Sequence, residues 1–268
     1  MRGQPPRVIT VALSSTSGQR IFKDALAVRN TVFRDEEHLS TRPDQDEYDE
    51  LPSATHVVVY VNSEPAAAAR LLLPSERVAR TRGGHFGLPL EQLLDLASLK
   101  SAGMRPAESG RVAVLKKYRK SEVIVWLLAS IYWASRNTGV NAWVAAANGE
   151  TDVPRDARLI ARVASAQQLD SPVRVHALAP SSPPANPAAA FYNAAHWELA
   201  RQSRFSELPL PGVLKLFTQK MGARLMGSPL YIPEFSRWAY PLCAWLNEIP
   251  RSTLEQFDAL AQSAHRAP

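Results

Sequence analysis

The residues best suited to chemistry begin near the end of the first predicted helix. Arg29 and Phe33 are four residues apart, so both lie on one helical face. The acidic segment that follows contains Asp46 and Asp49. Two interpretations are open. In the first, Arg29 binds the last helical carbonyls beside a solvated acidic loop. In the second, the two aspartates form a buried pair that binds an amine, because a cation offsets the desolvation of two acids.

Two further arginines lie in apolar strands. Arg70 interrupts the run 67–73, where a charge is costly unless it has a structural partner or grips a carboxylate in a site. Glu108 and Arg111 begin the next apolar strand and face opposite sides of a regular strand. A bulge at Gly110 would turn both into one cleft and free backbone N–H groups to polarise a carbonyl. An ordinary ion pair at the strand entrance is the alternative.

A basic turn follows that strand. It contains Lys116, Lys117, Arg119 and Lys120, and Ser121 is the predicted N-cap of the next helix. A helix N-terminus favours anions. The turn has no glycine, so its backbone cannot wrap a pyrophosphate as a glycine-rich loop does. It is either a solvated turn or a dock for one phosphate and an acidic protein surface.

The elements that position these residues are predicted in the order β-α-ββ-α-β-α-β-α-β, followed by a helical tail with a last strand. The strands cover 7–14, 55–61, 67–73, 108–115, 141–147, 172–178 and 240–246. The helices cover 19–33, 90–99, 121–136, 154–167, 188–200 and 212–222, and 34–51 and 179–187 are irregular. This order predicts an α/β fold with a mixed central sheet and helices on both faces.

Composition excludes several classes of protein. The chain has 268 residues, 46% hydrophobic and 21% charged, which is typical of a globular protein of one or two domains. Its one cysteine, Cys243, excludes an intramolecular disulfide and a cysteine-rich zinc site. Scattered histidines and the absence of nucleotide and metal motifs predict no metal site. No apolar run is long enough to span a membrane and no export signal is evident, so we expect a cytoplasmic protein.

The four features, in this order, resemble the acyl-homoserine-lactone synthase and N-acyl amino acid synthase branch of the GNAT superfamily. The matching pattern covers about residues 7–180. It consists of Arg29-xxx-Phe33, Asp46-xx-Asp49, Arg70 in RLLLP and Glu108-xx-Arg111 in ESGRVAV. The resemblance implies a GNAT-like core over 1–180 with a splayed pair of central strands.

The segment 208–246 resembles the C-terminal part of hemolysin-like N-acyltransferases, which make ornithine lipids and acyl amino acids. This implies a helical extension over 181–268, packed on the core as a single structural unit. Lactone synthases have a tryptophan shortly after the first helix, where this chain has Glu37-His38-Leu39-Ser40. That departure favours a plain amine or amino acid acceptor.

The resemblance implies transfer of a fatty acyl group from a thioester to an α-amino group. Glu108 and Arg111 would be the catalytic residues, with Glu108 as general base. Backbone N–H groups near Val112 and Val114 would stabilise the oxyanion. The other acceptor-binding residues would be Arg29, Phe33, Asp46, Asp49 and Arg70. Arg70 and Arg111 would hold carboxylates, either the acceptor's or those of Asp46 and Asp49.

The implied donor is acyl carrier protein or coenzyme A, used as co-substrate rather than as a tightly bound cofactor. Acyl carrier proteins are acidic and their pantetheine arm carries one phosphate, which fits a dock made of Lys116, Lys117, Arg119, Lys120 and Ser121. The net charge of +6 agrees with an acidic partner. We expect no transmembrane segment, and peripheral membrane contact only through the lipid product.

Two alternatives stay open. The nearest is an acyl-homoserine-lactone synthase. From another class, a basic chain could be a nucleic-acid-binding module, which needs aromatic stacking positions on a basic face. Trp126, Tyr132 and Trp133 fall instead inside an apolar helix, so we expect no nucleic-acid partner.

Overall fold

The computed structural model describes residues 9–15, 19–180, 182, 183 and 185–264. These residues form two compact units. The first comprises the described residues up to Leu73, Ser109–Gly139 and those from Leu254 on, and the second comprises Pro74–Glu108 and Val140–Thr253. The predicted domain boundary at residue 180 stays a prediction.

The first unit is built on neighbouring strands in the order β1–β2–β3–β5. Its strands are β1 (Ile9–Ser14), β2 (Ala54–Val61), β3 (Glu64–Leu72) and the Ser109–Val114 part of β5 (Pro106–Val114). Its helices are α1 (Arg20–Asn30), a π-helical continuation over Thr31–Glu36, and α4 (Val123–Arg136). β1–β2 and β2–β3 are antiparallel pairs, with His56 opposite Arg70 in the second pair.

The sequence of β2 explains why this sheet is covered on both faces. It is rich in β-branched valine, which favours strands. Val58 is buried against α1 residues, Ala25 and Val28, in one hydrophobic cluster. Val57 and Val59 are equally buried, and successive residues of a strand face opposite sides of the sheet. Both α1 and α4 pack on β2 and β3.

The second unit contains the remaining elements. They are α2 (Glu76–Arg82), β4 (Leu94–Asp95), α3 (Ala97–Ser101), β6 (Ala142–Asn148), α5 (Pro154–Ala166), β7 (His176–Ala177), α6 (Ala194–Arg201), α7 (Gly212–Met221), β8 (Arg224–Leu225), β9 (Leu230–Ile232) and β10 (Arg237–Trp245). Helix α8 (Arg251–Ala264) begins here and continues in the first unit.

Strand pairing in the second unit follows the order β5–β6–β10–β8, with β9 also on β10. β6 and β10 are antiparallel over seven residue pairs. β5 and β6 are parallel but pair only over Pro106–Glu108 and Ala142–Val144. Pairing that stops part-way along two parallel strands is what the predicted splayed pair requires. The α/β class is confirmed: within the described residues, eight strands pair in mixed directions, apart from the separate β4–β7 pair, and helices flank them.

Several element predictions were wrong. The helix predicted over 90–99 is a 3₁₀ turn (Pro89–Gln92), the short strand β4 and helix α3. The strand predicted over 172–178 is reduced to His176–Ala177, which pairs with β4.

Smaller differences concern element ends. The irregular segment predicted from residue 34 begins after Glu36, where the π-helix ends. Helix α4 starts at Val123 with Glu122, not Ser121, as N-cap, and α8 was not predicted. Arg7 and Val8, expected to begin β1, and Ser181 and Pro184 in the proline-rich segment lie outside the described residues.

Candidate active site

Arg29 lies in the last turn of α1 and is completely buried, with 0% exposure. Its Nε donates to Oδ2 of Asp44 at 2.6 Å and its Nη2 to the carbonyl of the same residue at 2.9 Å. Nη1 and Nη2 donate to the two carboxylate oxygens of Asp49, at 2.7 and 3.0 Å. Asn30 binds the backbone N–H of Asp44. The end of α1 therefore holds the acidic loop at both aspartates.

Two more arginines bind the same loop. Arg70 on β3 donates from Nη1 to Asp46 at 2.5 Å and to Asp49 at 2.8 Å. Arg111 on β5 donates from Nη1 to Asp44 at 2.5 Å and from Nη2 to Asp46 at 3.0 Å. We call these three arginines and three aspartates the arginine–aspartate cluster.

The cluster is balanced in charge, and its exposure is uneven. Asp44 and Asp49 are buried with Arg29 and Arg70, whereas the Asp46 side chain is 26% exposed and that of Arg111 12%. The interpretation in which Arg29 binds the last helical carbonyls beside a solvated acidic loop is therefore wrong. In the second interpretation Asp46 and Asp49 form a buried pair that binds an amine, but here Asp49 binds two arginines, Arg29 and Arg70. The partly exposed charged groups of the cluster are therefore Asp46 and Arg111.

The arginines favour the ionised forms of Asp46 and Asp49. Burial raises the pKa of the Asp49 carboxyl, but the Arg29 hydrogen bonds and the charges of Arg29 and Arg70 outweigh it and hold that pKa well below its usual range. For Asp46, burial is likewise outweighed by Arg70 and Arg111, so its pKa is also lowered. Burial alone would lower the pKa of Arg70, yet Asp46 and Asp49 raise it.

His56 on β2 lies against this cluster and is 1% exposed. Its Nε2 is 2.9 Å from the carbonyl oxygen of Asp49. Burial lowers the pKa of the imidazole, and the charges of Arg29 and Arg70 lower it further against the opposing effect of Asp49.

The β-bulge expected at Gly110 stays a prediction, but the next residue of β5 departs from strand geometry. Arg111 has φ of 54°, in the left-handed region that non-glycine residues seldom occupy. Such a conformation costs on the order of 1–3 kcal/mol and persists where its surroundings hold it. Here the two bonds to Asp44 and Asp46 hold the Arg111 side chain.

Glu108, the predicted general base, is half-buried in the second unit. Its Oε2 accepts the backbone N–H of Leu90 at 2.8 Å. The adjacent loop is organised by Glu91, whose carboxylate accepts the backbone N–H groups of four consecutive residues, His85 to Leu88. Glu108 therefore anchors a loop as well as being a candidate base.

The other predicted acceptor-site residues belong to the first unit. Phe33 lies in the π-helix and packs against the cluster of Ala25, Val28 and Val58. Val112 and Val114 are half-buried residues of β5.

The basic turn is partly neutralised by acidic residues. Arg119 donates to Glu36 at 2.6 Å and also to Glu37. Lys117 lies 3.1 Å from Glu64. Lys116, whose backbone N–H binds Glu36, and Lys120 have exposed side chains. The positive charge offered to a partner is therefore that of the lysines more than that of Arg119.

Ser121 connects the basic turn to α4. Its hydroxyl donates to the carbonyl of Tyr118 at 2.7 Å and accepts the N–H of Val123 at 3.4 Å. It therefore bonds to the first turn of the helix from one position outside the N-cap.

Sequence reasoning missed three residues of this site: Asp44, His56 and Glu36. Asp44 had a signal, because it lies two residues before Asp46 in the same acidic segment.

Among the described residues, no group of three histidine, cysteine or acidic side chains could hold a metal ion. The described helices include none long and apolar enough to cross a membrane.

Comparison with known proteins finds a matching family model and several similar structures. Residues 28–129 match the family described as the acetyltransferase (GNAT) domain. The solved structure of FeeM, an N-acyl amino acid synthase from uncultured soil microbes, aligns with a TM-score of 0.52 and 10% identity, over 91% of this chain and 92% of that one. No curated protein matches the chain in sequence.

Two acyl-homoserine lactone synthases align less well. BjaI, described as CoA-dependent and solved with SAM and isopentyl-CoA, has a TM-score of 0.48 and 13% identity over 94% of this chain and 88% of its own. LasI has a TM-score of 0.47 and 9% identity over 93% and 94%.

Proposed function

We propose that this chain, an enzyme with a GNAT-type N-acyltransferase domain, moves a fatty acyl group from an acyl thioester to the α-amino group of an amino acid or related amine. Acyl carrier protein is the preferred form of the donor. The observation that carries the proposal is the arginine–aspartate cluster, which presents one carboxylate and one guanidinium to solvent.

The acceptor is recognised through those two groups. An α-amino acid carries an ammonium and a carboxylate on one carbon, so it needs one negative and one positive group side by side. Asp46 and Arg111 meet this need, with 3.0 Å between Oδ2 and Nη2. Arg29, Asp49 and Arg70 fix these two groups from behind, and Phe33 is proposed to contact the acceptor's side chain.

The chemical step follows from the charges of the reactants. The ammonium must lose a proton before its nitrogen can attack the thioester carbonyl, and Glu108 is the proposed general base. The C–N bond forms, the C–S bond breaks, and the thiolate takes up the second amine proton. Backbone N–H groups at Val112 and Val114 are proposed to stabilise the tetrahedral oxyanion. The products are the N-acyl amine, the free thiol and one proton.

The donor is proposed to dock at the basic turn. The exposed Lys116, Lys117 and Lys120 precede α4, a helix of 14 residues whose N-terminal end favours an anion. A pantetheine phosphate at Ser121 and the acidic face of a carrier protein suit this arrangement. We place the reaction in the cytoplasm, with peripheral membrane contact through the lipid product.

One experiment tests donor and acceptor together. The protein is incubated with a long-chain acyl carrier protein or acyl-coenzyme A, a pool of the twenty amino acids and S-adenosylmethionine, and the products are identified by mass spectrometry. We expect a free N-acyl amino acid, formed faster from the carrier protein. An acyl-homoserine lactone as the product would instead support the lactone-synthase alternative.

A further inference from the structure

His56 lies beside two members of the arginine–aspartate cluster, Asp49 and Arg70. It stands directly opposite Arg70 in the β2–β3 pair, and directly opposed side chains of paired strands lie on the same face of the sheet. Its ring also meets the ring of Phe22 edge-on, with 4.7 Å between centroids. The imidazole is thus fixed between α1 and the sheet.

The hydrogen bond to Asp49 determines which ring nitrogen carries the proton. The Asp49 carbonyl oxygen, 2.9 Å from Nε2, can only accept, so Nε2 must donate. In the neutral imidazole Nδ1 is then an acceptor. Among the described residues Nδ1 has no hydrogen-bond partner, although it is buried.

A second buried atom without a partner lies on the opposite residue. Arg70 Nε–H is a donor with no acceptor among the described residues, while its Nη1 is bound to Asp46 and Asp49. A buried donor and a buried acceptor thus project from directly opposed positions on one face. A buried polar group left unsatisfied destabilises the folded state, and buried waters typically bridge such groups.

We propose that His56 is a positioning residue for the arginine–aspartate cluster. Its Nε2–H holds the backbone of Asp49, and its Nδ1 holds Arg70 through one buried water, which accepts from Arg70 Nε–H and donates to Nδ1. Both contacts fix buried residues, Asp49 and Arg70, that hold the partly exposed Asp46 and Arg111 in place. The effect on catalysis therefore rests on the proposed function, whereas the tautomer and the water do not.

Burial and the two arginines beside the ring favour its neutral form. Arg29 on α1, Arg70 on β3 and Asp49 in the acidic loop face it, and Ser14 is its neutral neighbour on β1. A proton on Nδ1 would point at the Arg70 donor and remove the acceptor that the water needs.

Two measurements test the positioning without any activity. In protein labelled with ¹⁵N-histidine, the His56 signal, assigned by its loss in His56→Gln, is expected to show the Nε2–H tautomer and no titration between pH 8 and pH 6.5. A high-resolution crystal structure is expected to show one water within hydrogen-bond distance of Nδ1 and Arg70 Nε. An Nδ1–H tautomer, or no such water, overturns the proposal.

Kinetics then test the consequence for the site. His56→Phe keeps the ring against Phe22 and loses both hydrogen bonds, so we expect the KM for the acceptor to rise about tenfold, with kcat and the KM for the donor within twofold of the wild type. His56→Gln, which keeps an N–H for Asp49, should recover part of the loss. An unchanged acceptor KM in a folded, active His56→Phe protein overturns the positioning role. A wild-type protein with no acyltransferase activity overturns the proposed function alone, since the tautomer and water remain measurable.

Discussion

Arg29 and Asp49 are joined by two parallel hydrogen bonds of 2.7 and 3.0 Å, and both side chains are completely buried. This bidentate pair links the last turn of α1 to the acidic loop, twenty residues further along the chain. A guanidinium matches a carboxylate in this geometry, whereas an ammonium offers only a point charge. Because Arg70 shares the Asp49 carboxylate, the pair also ties the loop to β3.

Removing Arg29 should destabilise the protein severely. Arg29→Ala leaves the buried Asp44 and Asp49 without their principal partner, and breaking a buried ion pair from one side costs about 3–5 kcal/mol. Urea unfolding followed by tryptophan fluorescence measures the change. Arg34→Ala, which breaks an exposed pair with Asp35, is the matched control and should change little. Equal effects of the two substitutions would contradict the burial argument.

Acid should destabilise the protein through the cluster's carboxylates. The folded-state pKa values of Asp49 and Asp46 lie below their unfolded values. Their stabilisation is therefore complete above about pH 4, the unfolded value, and is lost as the pH falls through the folded-state pKa values. The free energy of unfolding, measured by urea titration from pH 6 to pH 2, should decrease steeply below pH 4. A flat profile there would contradict the assignment.

His56 should produce a separate loss of folding stability at a higher pH than the aspartates do. Its folded-state pKa is lowered, so the unfolded chain binds its proton first, near pH 6.5. The stabilisation from the neutral ring is complete above that pH and decreases below it. The same titrations on His56→Gln should lack the part of the decrease between pH 6.5 and pH 5. If the wild type and the variant run parallel in that range, His56 is not the group responsible.

Much of the fold follows from local patterns in the sequence. The β2–β3 hairpin was predicted from two apolar runs around Asn62 and Ser63, and the structure confirms it. The helix predicted over 90–99 is interrupted at β4, where the Asp95 side chain accepts the backbone N–H of Ala97, two residues further on. Such local bonds compete with helix formation, and apolar periodicity carries no record of them.

The sequence predicted most members of the arginine–aspartate cluster, but not which arginine binds which aspartate. Arg70 and Arg111 were expected to hold carboxylates, and both do. Their partners are 21 to 67 residues away in the chain, so spacing alone could not show that Asp44 takes part or that Asp49 belongs to two arginines. His56 carried no signal because a lone histidine in an apolar strand has no pattern.

The basic turn should contribute to donor binding through its lysines. The double variant Lys116→Glu/Lys120→Glu should raise the KM for acyl carrier protein about tenfold at low salt, because rim charges steer association. The effect should shrink as salt screens it. Lys23→Glu/Lys100→Glu changes the net charge equally at exposed positions elsewhere and serves as control. Equal KM values for the two double variants, measured with acyl carrier protein, would place the dock elsewhere.

Glu108→Gln tests the proposed general base. The amide oxygen can still accept the N–H of Leu90, so the loop should stay in place while the side chain can no longer take a proton. We expect kcat to fall about 10²- to 10⁴-fold, with the affinity for acyl carrier protein and the melting temperature unchanged. Glu76→Gln, an exposed change on α2, is the control. A Glu108→Gln enzyme within a few fold of the wild type would leave Glu108 only its anchoring role, and the amine would then have to lose its proton to another group.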